Sequence, residues 1–359
     1  MSYLTPAQLQ AALEQRDLTD PDAGEHAVQQ VVSKIETALH DTWGIPVRRD
    51  PGPRIVPVAD NYDRLRYDTA AVTRDRRYSR YVDHERMLRS HTTARIPALL
   101  DRLTDTDVLL SVPGISYRRD VIDRQHVGEP HQLDLWRVRT GGPPLTDDDL
   151  TQMIATVVGA VLPGKAIETP DSPHPYTLDG REIYVDGVEI GECGLAHPEV
   201  LPAGATGLAM GLGLDRITML VKGIDDIRLL RAADPRVADQ MRDLAPYHPV
   251  SAKPATARDL SLAVADDRDA EQLGDRARAA LGDDSQAIEE ISVRSETAYA
   301  DLPESARRRM GLRPGQKNVL LRLLLRDLDR TLDAAEANAI RDRVYEALHE
   351  GGEHEWAAR

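Results

Sequence analysis

Residues 233–259 read ADPRVADQMRDLAPYHPVSAKPATARD, with prolines at 235, 246, 249 and 254. Proline breaks a helix interior and is excluded from central strands, so no single regular element crosses this stretch. It divides the 359-residue chain, and the length agrees, because about 100–200 residues per domain gives two or three folded units. The expected organisation is an N-terminal helical extension over 1–25, a main domain over 26–232, a linker over 233–247 and a smaller domain over 248–359.

Before the linker, residues 4–16 predict a short helix, with Thr5 as N-cap and Pro6 in the first turn. Residues 26–42 place Val28, Val31, Val32, Ile35, Ala38 and Leu39 on one face of a second helix. From 88 to 138 short apolar segments alternate with polar turns (DVLLSV, ISYRRDVI, HQLDLWRV), which predicts antiparallel strands. Thr146 and three aspartates cap a helix over 149–162, a strand is expected at 182–190, and 214–222 has helical spacing. Beyond the linker the order is strand (260–264), helix (270–281), strand (288–294), strand (318–325) and helix (333–349). With VLLRLLL expected to be buried on both faces, that order predicts a small α+β sandwich of ferredoxin type.

Composition narrows the setting. The chain is 41% hydrophobic and 29% charged, with no apolar run of membrane-spanning length and no signal-peptide pattern at its start. One cysteine, Cys193, forms neither an intramolecular disulfide nor a zinc cluster, and its strand context predicts a core residue. These features predict a cytoplasmic protein with no membrane partner. The net charge of −15 disfavours a broad nucleic-acid surface, and residues 248–359 carry 17 basic and 22 acidic side chains. Phenylalanine is absent, where ordinary usage gives about nine.

Four segments carry candidate chemistry. LRSHTTARI (88–96) brings donors and acceptors together at His91, Thr92 and Thr93. In SYRRDVIDRQHVGEPHQLDLWRV (116–138), Gln132 and Asp134 lie two residues apart on a strand and so share a face. Arg118, at a strand end, suits phosphate through its planar fork. GLAMGLGLDRITMLVKGIDDIRLL (207–230) superficially resembles a dinucleotide fingerprint, but Arg216 replaces the third glycine, so that reading is rejected. HPYTLDGREIYVDGVEIGECGLAHPEV (174–200) adds His174, Tyr176, Glu189 and Glu192. The histidines do not fall at zinc-ligand spacings.

In this order, the segments resemble the phenylalanyl-tRNA synthetases, a class II aminoacyl-tRNA synthetase family. GPRIVPVADNYDRL (52–65) is similar to the end of motif 1, LRSHTTARI to the family's LRTHTS, YRRDVIDRQHVGEPHQLD to motif 2 and its HQ-x-E strand, and GLAMGLGLDRI to motif 3. The C-terminal PVSAKPATARDLSLAV and RPGQKNVLLRLLLRDLDRTLDAAEANAIRDR resemble a ferredoxin-fold anticodon-binding domain. The resemblance implies an α+β fold: an antiparallel-sheet catalytic domain followed by a ferredoxin-like domain in one chain.

It also implies roles. Arg118 matches the motif 2 arginine on the α-phosphate of ATP, and Arg216 the motif 3 arginine at the adenine and γ-phosphate. The implied ATP site further includes Asp120, His126, Glu129, Pro130 and Gly213. His91, Thr93, Gln132 and Asp134 match the positions that hold the amino acid's ammonium and carboxylate, and Ala209 the small residue under its ring. Asp134 is one methylene shorter than the family's Glu. Mg²⁺ is the implied cofactor, with Glu189 and Glu192 as candidate ligands. The family's Phe-Pro-Phe run becomes His174, Pro175 and Tyr176, so the ring pocket has polar-tipped residues. The implied activity is ATP-dependent adenylation of phenylalanine or a close aromatic analogue and its transfer to tRNA, by a monomer or homodimer. The alternatives are a paralogue serving a non-tRNA acceptor and a non-catalytic binding module.

Overall fold

A computed structural model describes residues 3–75, 78–119, 121, 123–250, 255–328 and 330–354. Asp120 lies outside the described residues. The chain divides into two compact units, the first of Met1–Arg118, Glu129–Ile224 and Asp239–Tyr247, the second of Arg119–Gly128, Asp225–Ala238 and His248–Arg359.

In the first unit, helix α1 (Pro6–Glu14) starts at a capping box in which Thr5 and Gln8 satisfy each other's backbone N–H. Helix α2 (Ala27–Trp43) buries Val28, Val31, Val32, Ile35 and Leu39 and ends at Gly44, whose φ of 64° suits a left-handed cap. It packs against α3 (Asp147–Val161) and α4 (Leu214–Lys222). Among the described residues nine strands follow in chain order: β1 (Val47–Arg49), β2 (Ile55–Pro57), β3 (Arg86–Leu88), β4 (Asp107–Ile115), β5 (His131–Thr140), β6 (Ile167–Glu168), β7 (Thr177–Val185), β8 (Val188–Ala196) and β9 (Ala205–Gly213). Seven form one sheet in the order β1-β4-β5-β9-β8-β7-β6, antiparallel except for β1 beside β4, and β2 pairs with β3.

Two strand expectations change. The expected strand over ISYRRDVI ends at Ile115. Ser116 N then donates to Pro130 O and Tyr117 N to Arg89 O, so the chain leaves the sheet with its amides paired elsewhere. The strand expected over 182–190 is a hairpin, because Asp186 (φ 52°) and Gly187 (φ 75°) form the two-residue turn between β7 and β8.

The second unit holds β10 (Thr256–Ala265), β11 (Ile288–Ala298) and β12 (Gln316–Leu325) in the order β10-β12-β11, all antiparallel, with α5 (Ala270–Leu281) and α6 (Ala334–Leu348). VLLRLLL is not buried on both faces. Val319, Leu321, Leu323 and Leu325 are buried in one core with α5 and α6, while Leu320, Arg322 and Leu324 are half-buried. Arg322 instead pairs with Asp259 on the neighbouring strand at 2.7 Å. Within this unit Glu289, fully buried, meets Arg124 at 2.7 Å and Arg326 at 2.5 Å. Among the described residues no helix is long and apolar enough to cross a membrane.

Candidate active site

The sheet of the first unit sets out the site by register. On β5, Gln132, Asp134 and Trp136 alternate onto one face. Their partners on β9 are Gly213, Gly211 and Ala209, and Gly211 and Ala209 pair onward with Glu192 and Gly194 of β8. Asp134, Gly211 and Glu192 thus form one row across three strands, and Trp136, Ala209 and Gly194 the next. Glycine at 211 leaves a floor between two carboxylates: a Cβ there would lie 3.7 Å from Asp134 Oδ2 and 3.8 Å from Glu192 Oε1.

Asp134 is 3% exposed, accepts from Thr93 Oγ1 at 2.5 Å and Trp136 Nε1 at 2.8 Å, and has its pKa pushed up to about 7 by burial. Gln132 Oε1 accepts from Thr92 N at 3.3 Å. His91 is placed by Asn61, whose amide nitrogen lies 3.5 Å from His91 Nε2 and donates to Ser90 Oγ at 2.8 Å. Burial and the nearby Arg118 guanidinium lower the His91 pKa to about 4, so the ring is neutral at physiological pH. His91 Nδ1 and Thr92 Oγ1 are buried without a hydrogen-bond partner among the described residues. That is the signature of a site with unfilled binding capacity.

Rings close one side. Tyr176 stacks on Trp136 with centroids 5.9 Å apart, and Tyr67 lies 6.3 Å from Tyr176 and stacks on His91 at 5.7 Å. Ala209, 1% exposed, shares a buried cluster with Trp136 and Tyr176. Trp136 and Tyr67 were not among the expected site residues. Period-two alternation from Asp134 could have found Trp136; Tyr67 has no local signal, because it reaches the site through tertiary contacts.

Charges ring the open side. Arg118 is exposed, with Nε donating to Ser90 O at 2.9 Å. Its carbonyl accepts from Arg80, which also pairs with Glu129 at 2.6 Å. Arg216 Nη1 meets Glu189 Oε2 at 3.0 Å and the Glu189 carbonyl at 3.1 Å. Glu192 accepts from Tyr176 OH at 2.5 Å and pairs with His174 Nε2 at 2.7 Å. Burial raises its pKa, but His174, Tyr176 and Arg118 outweigh that and hold it at about 2. Burial works against a charged His174, yet Glu192 and its neighbours raise that pKa. Glu189 and Glu192, three apart, would face opposite ways on a regular strand. The register jump from Ile183–Gly191 to Tyr184–Glu189 makes Ile190 an extra residue, and this bulge returns both glutamates to one side. Pro130 accepts from Ser116 through its carbonyl, and Gly213 ends β9 where α4 begins. His126 belongs to the second unit, where it meets Asp123 at 2.7 Å. Among the described residues, no three His, Cys, Asp or Glu side chains form a metal cage.

Residues 12–241 match the family described as tRNA synthetases class II core domain (F). The chain belongs to the class II aminoacyl-tRNA synthetases. It is thereby one of the ATP-dependent aminoacyl-tRNA ligases. This synthetase is 29% identical over 251 residues to the phenylalanine–tRNA ligase alpha subunit of Nostoc punctiforme, covering 66% of this chain and 75% of that one. It is 25% identical over 386 residues to the probable mitochondrial phenylalanine–tRNA ligase of Drosophila melanogaster, covering 89% and 81%. A crystal structure of the pyrrolysyl-tRNA synthetase of Desulfitobacterium hafniense superposes with a TM-score of 0.48 at 18% identity, over 63% of this chain and 80% of that one.

Proposed function

We propose that this synthetase works as a single chain that activates phenylalanine or a related aromatic amino acid with ATP and transfers it to tRNA. The observation that carries the reading is the row Asp134–Gly211–Glu192 beside the rings of Tyr67, Trp136 and Tyr176. Asp134 is thus an anchor for an ammonium group, with Glu192 across Gly211 from it and an aromatic wall beside them. Single-chain action is supported by a class II core and a second α+β unit in one polypeptide.

In the proposed reaction, the amino acid's carboxylate oxygen attacks the α-phosphorus of ATP and pyrophosphate leaves, giving the adenylate. The chain then positions and neutralises. Arg118 takes the α-phosphate and Arg216 the far end of the nucleotide, exchanging Glu189 for phosphate oxygens. Asp134, Thr93 and Gln132 hold the ammonium group, with neutral His91 beside the carboxylate. No protein nucleophile is required, and burial pushes the Cys193 thiol up to about 12, out of that role. Mg²⁺ on a nucleotide needs only one or two protein carboxylates besides phosphate oxygens. Glu189, 42% exposed at its side chain, fits that need, whereas neither oxygen of Glu192 is free of a donor, since His174 and Tyr176 each take one. The ion supplies charge neutralisation at the phosphates.

A second reading, an acceptor other than tRNA, is favoured by the acidic balance of residues 248–359. ATP–pyrophosphate exchange with a panel of amino acids, then charging of bulk tRNA, separates the two. Exchange with an aromatic amino acid and charged tRNA is the expected result. Exchange without charging selects the second reading, no exchange with any aromatic amino acid overturns the first, and no exchange with any amino acid of the panel overturns both.

A further inference from the structure

The two positions where ring-pocket phenylalanines give way to polar-tipped side chains converge on one carboxylate. His174 Nε2 and Tyr176 OH reach Glu192 at 2.7 and 2.5 Å, through different oxygens. Tyr176 thereby aims its hydroxyl along the sheet while its ring stays stacked on Trp136. A carboxylate has about four lone-pair positions, so these two donors leave acceptor capacity unused. The Glu192 side chain is 38% exposed, so that capacity is reachable. Its Oε1 borders the floor above Gly211, opposite Asp134.

This arrangement discriminates between rings. A phenyl edge placed against an ionised carboxylate removes water and returns no hydrogen bond, which is unfavourable. A ring hydroxyl or amino group replaces that water with a charge-assisted bond. We propose that Glu192 is a specificity-determining residue that reads a hydrogen-bond donor on the ring of the amino acid, making a hydroxyl- or amino-bearing aromatic the preferred substrate over phenylalanine. His174 and Tyr176 are positioning residues that fix the carboxylate. This inference rests on the reading of the chain as a ligase for aromatic amino acids.

The test is ATP–pyrophosphate exchange by the full chain with tyrosine and 4-aminophenylalanine against phenylalanine and O-methyltyrosine. The better donor-bearing ring is expected to exceed phenylalanine in kcat/KM by about tenfold or more. In Glu192→Ala that ratio falls to about twofold or less. Glu192→Gln, which keeps one acceptor oxygen but loses the charge, gives an intermediate ratio and serves if the alanine variant does not fold, as judged by thermal melts. Equal or better use of phenylalanine by the unmodified chain overturns the role of Glu192 while leaving the ligase reading intact. So does a ratio unchanged in a folded Glu192 variant. Exchange with none of the four, nor with any other aromatic amino acid, overturns the reading as an aromatic amino acid ligase and this inference together.

Discussion

Asp134 shows how much one side chain's surroundings decide. Its sequence neighbours mark only a strand residue sharing a face with Gln132, and the resemblance adds an ammonium contact. Burial on that face, with Glu192 across Gly211, takes its pKa up to about 7. The charged form that pairs with an ammonium group is then the minority below pH 7 and the majority above it. For the proposed reaction, kcat/KM for the amino acid rises with pH through about 7 and levels off above it, as measured by exchange across pH 5.5–8.5. Asp134→Asn, which cannot ionise, lowers kcat/KM and removes this limb. A limb that persists in that variant assigns the titration to another group. The roles of Glu189 and Glu192 were not separable in sequence, since both are glutamates three residues apart in one segment. Their partners, Arg216 for one and His174 with Tyr176 for the other, come from distant elements.

At the scale of elements, the strands with local signatures were legible and their edges were not. Helix α4 runs over the expected 214–222 and α5 over the expected 270–281, and α2 buries its expected face because its apolar spacing is strong. The β7–β8 hairpin was carried by Asp186-Gly187, a turn signal inside what reads as one strand. The bulge at Ile190 was not legible, since a bulge depends on the register of the partner strand. Backbones come close there: a Cβ on Gly191 would sit 2.2 Å from Gly211 O. Gly191→Ala is therefore expected to destabilise the first unit by about 1–3 kcal/mol. It also disturbs the Asp134–Gly211–Glu192 row. Chemical denaturation checks the first effect and the KM for amino acid the second; an unchanged midpoint shows that β8 shifts without cost.

Across the whole molecule, the lack of phenylalanine is met by aromatic residues that bring polar tips into the core. Each tip of the deeply buried set in the first unit is bonded: Tyr62 OH to Thr73 O at 2.8 Å, Tyr117 OH to Ala12 O at 3.1 Å, Trp136 Nε1 to Asp134 and Tyr176 OH to Glu192. A chain that contains no phenylalanine is translated without phenylalanyl-tRNA, whichever aromatic ring it charges. Under inhibition of the cell's housekeeping phenylalanyl-tRNA synthetase, its synthesis is expected to persist in pulse-labelling, and a collapse parallel to that of phenylalanine-containing proteins refutes the idea. The sequence by itself determined the family, the helices with strong amphipathic spacing, the α+β class and the motifs that supply part of the residues at the sheet, because ordered motifs and periodicity are local properties. Tertiary structure alone decided which carboxylate holds a neutral or a charged form, which glutamate faces which cation, and that His174 and Tyr176 turn to Glu192. Those outcomes depend on cross-strand register and burial, which bring together groups far apart in the chain.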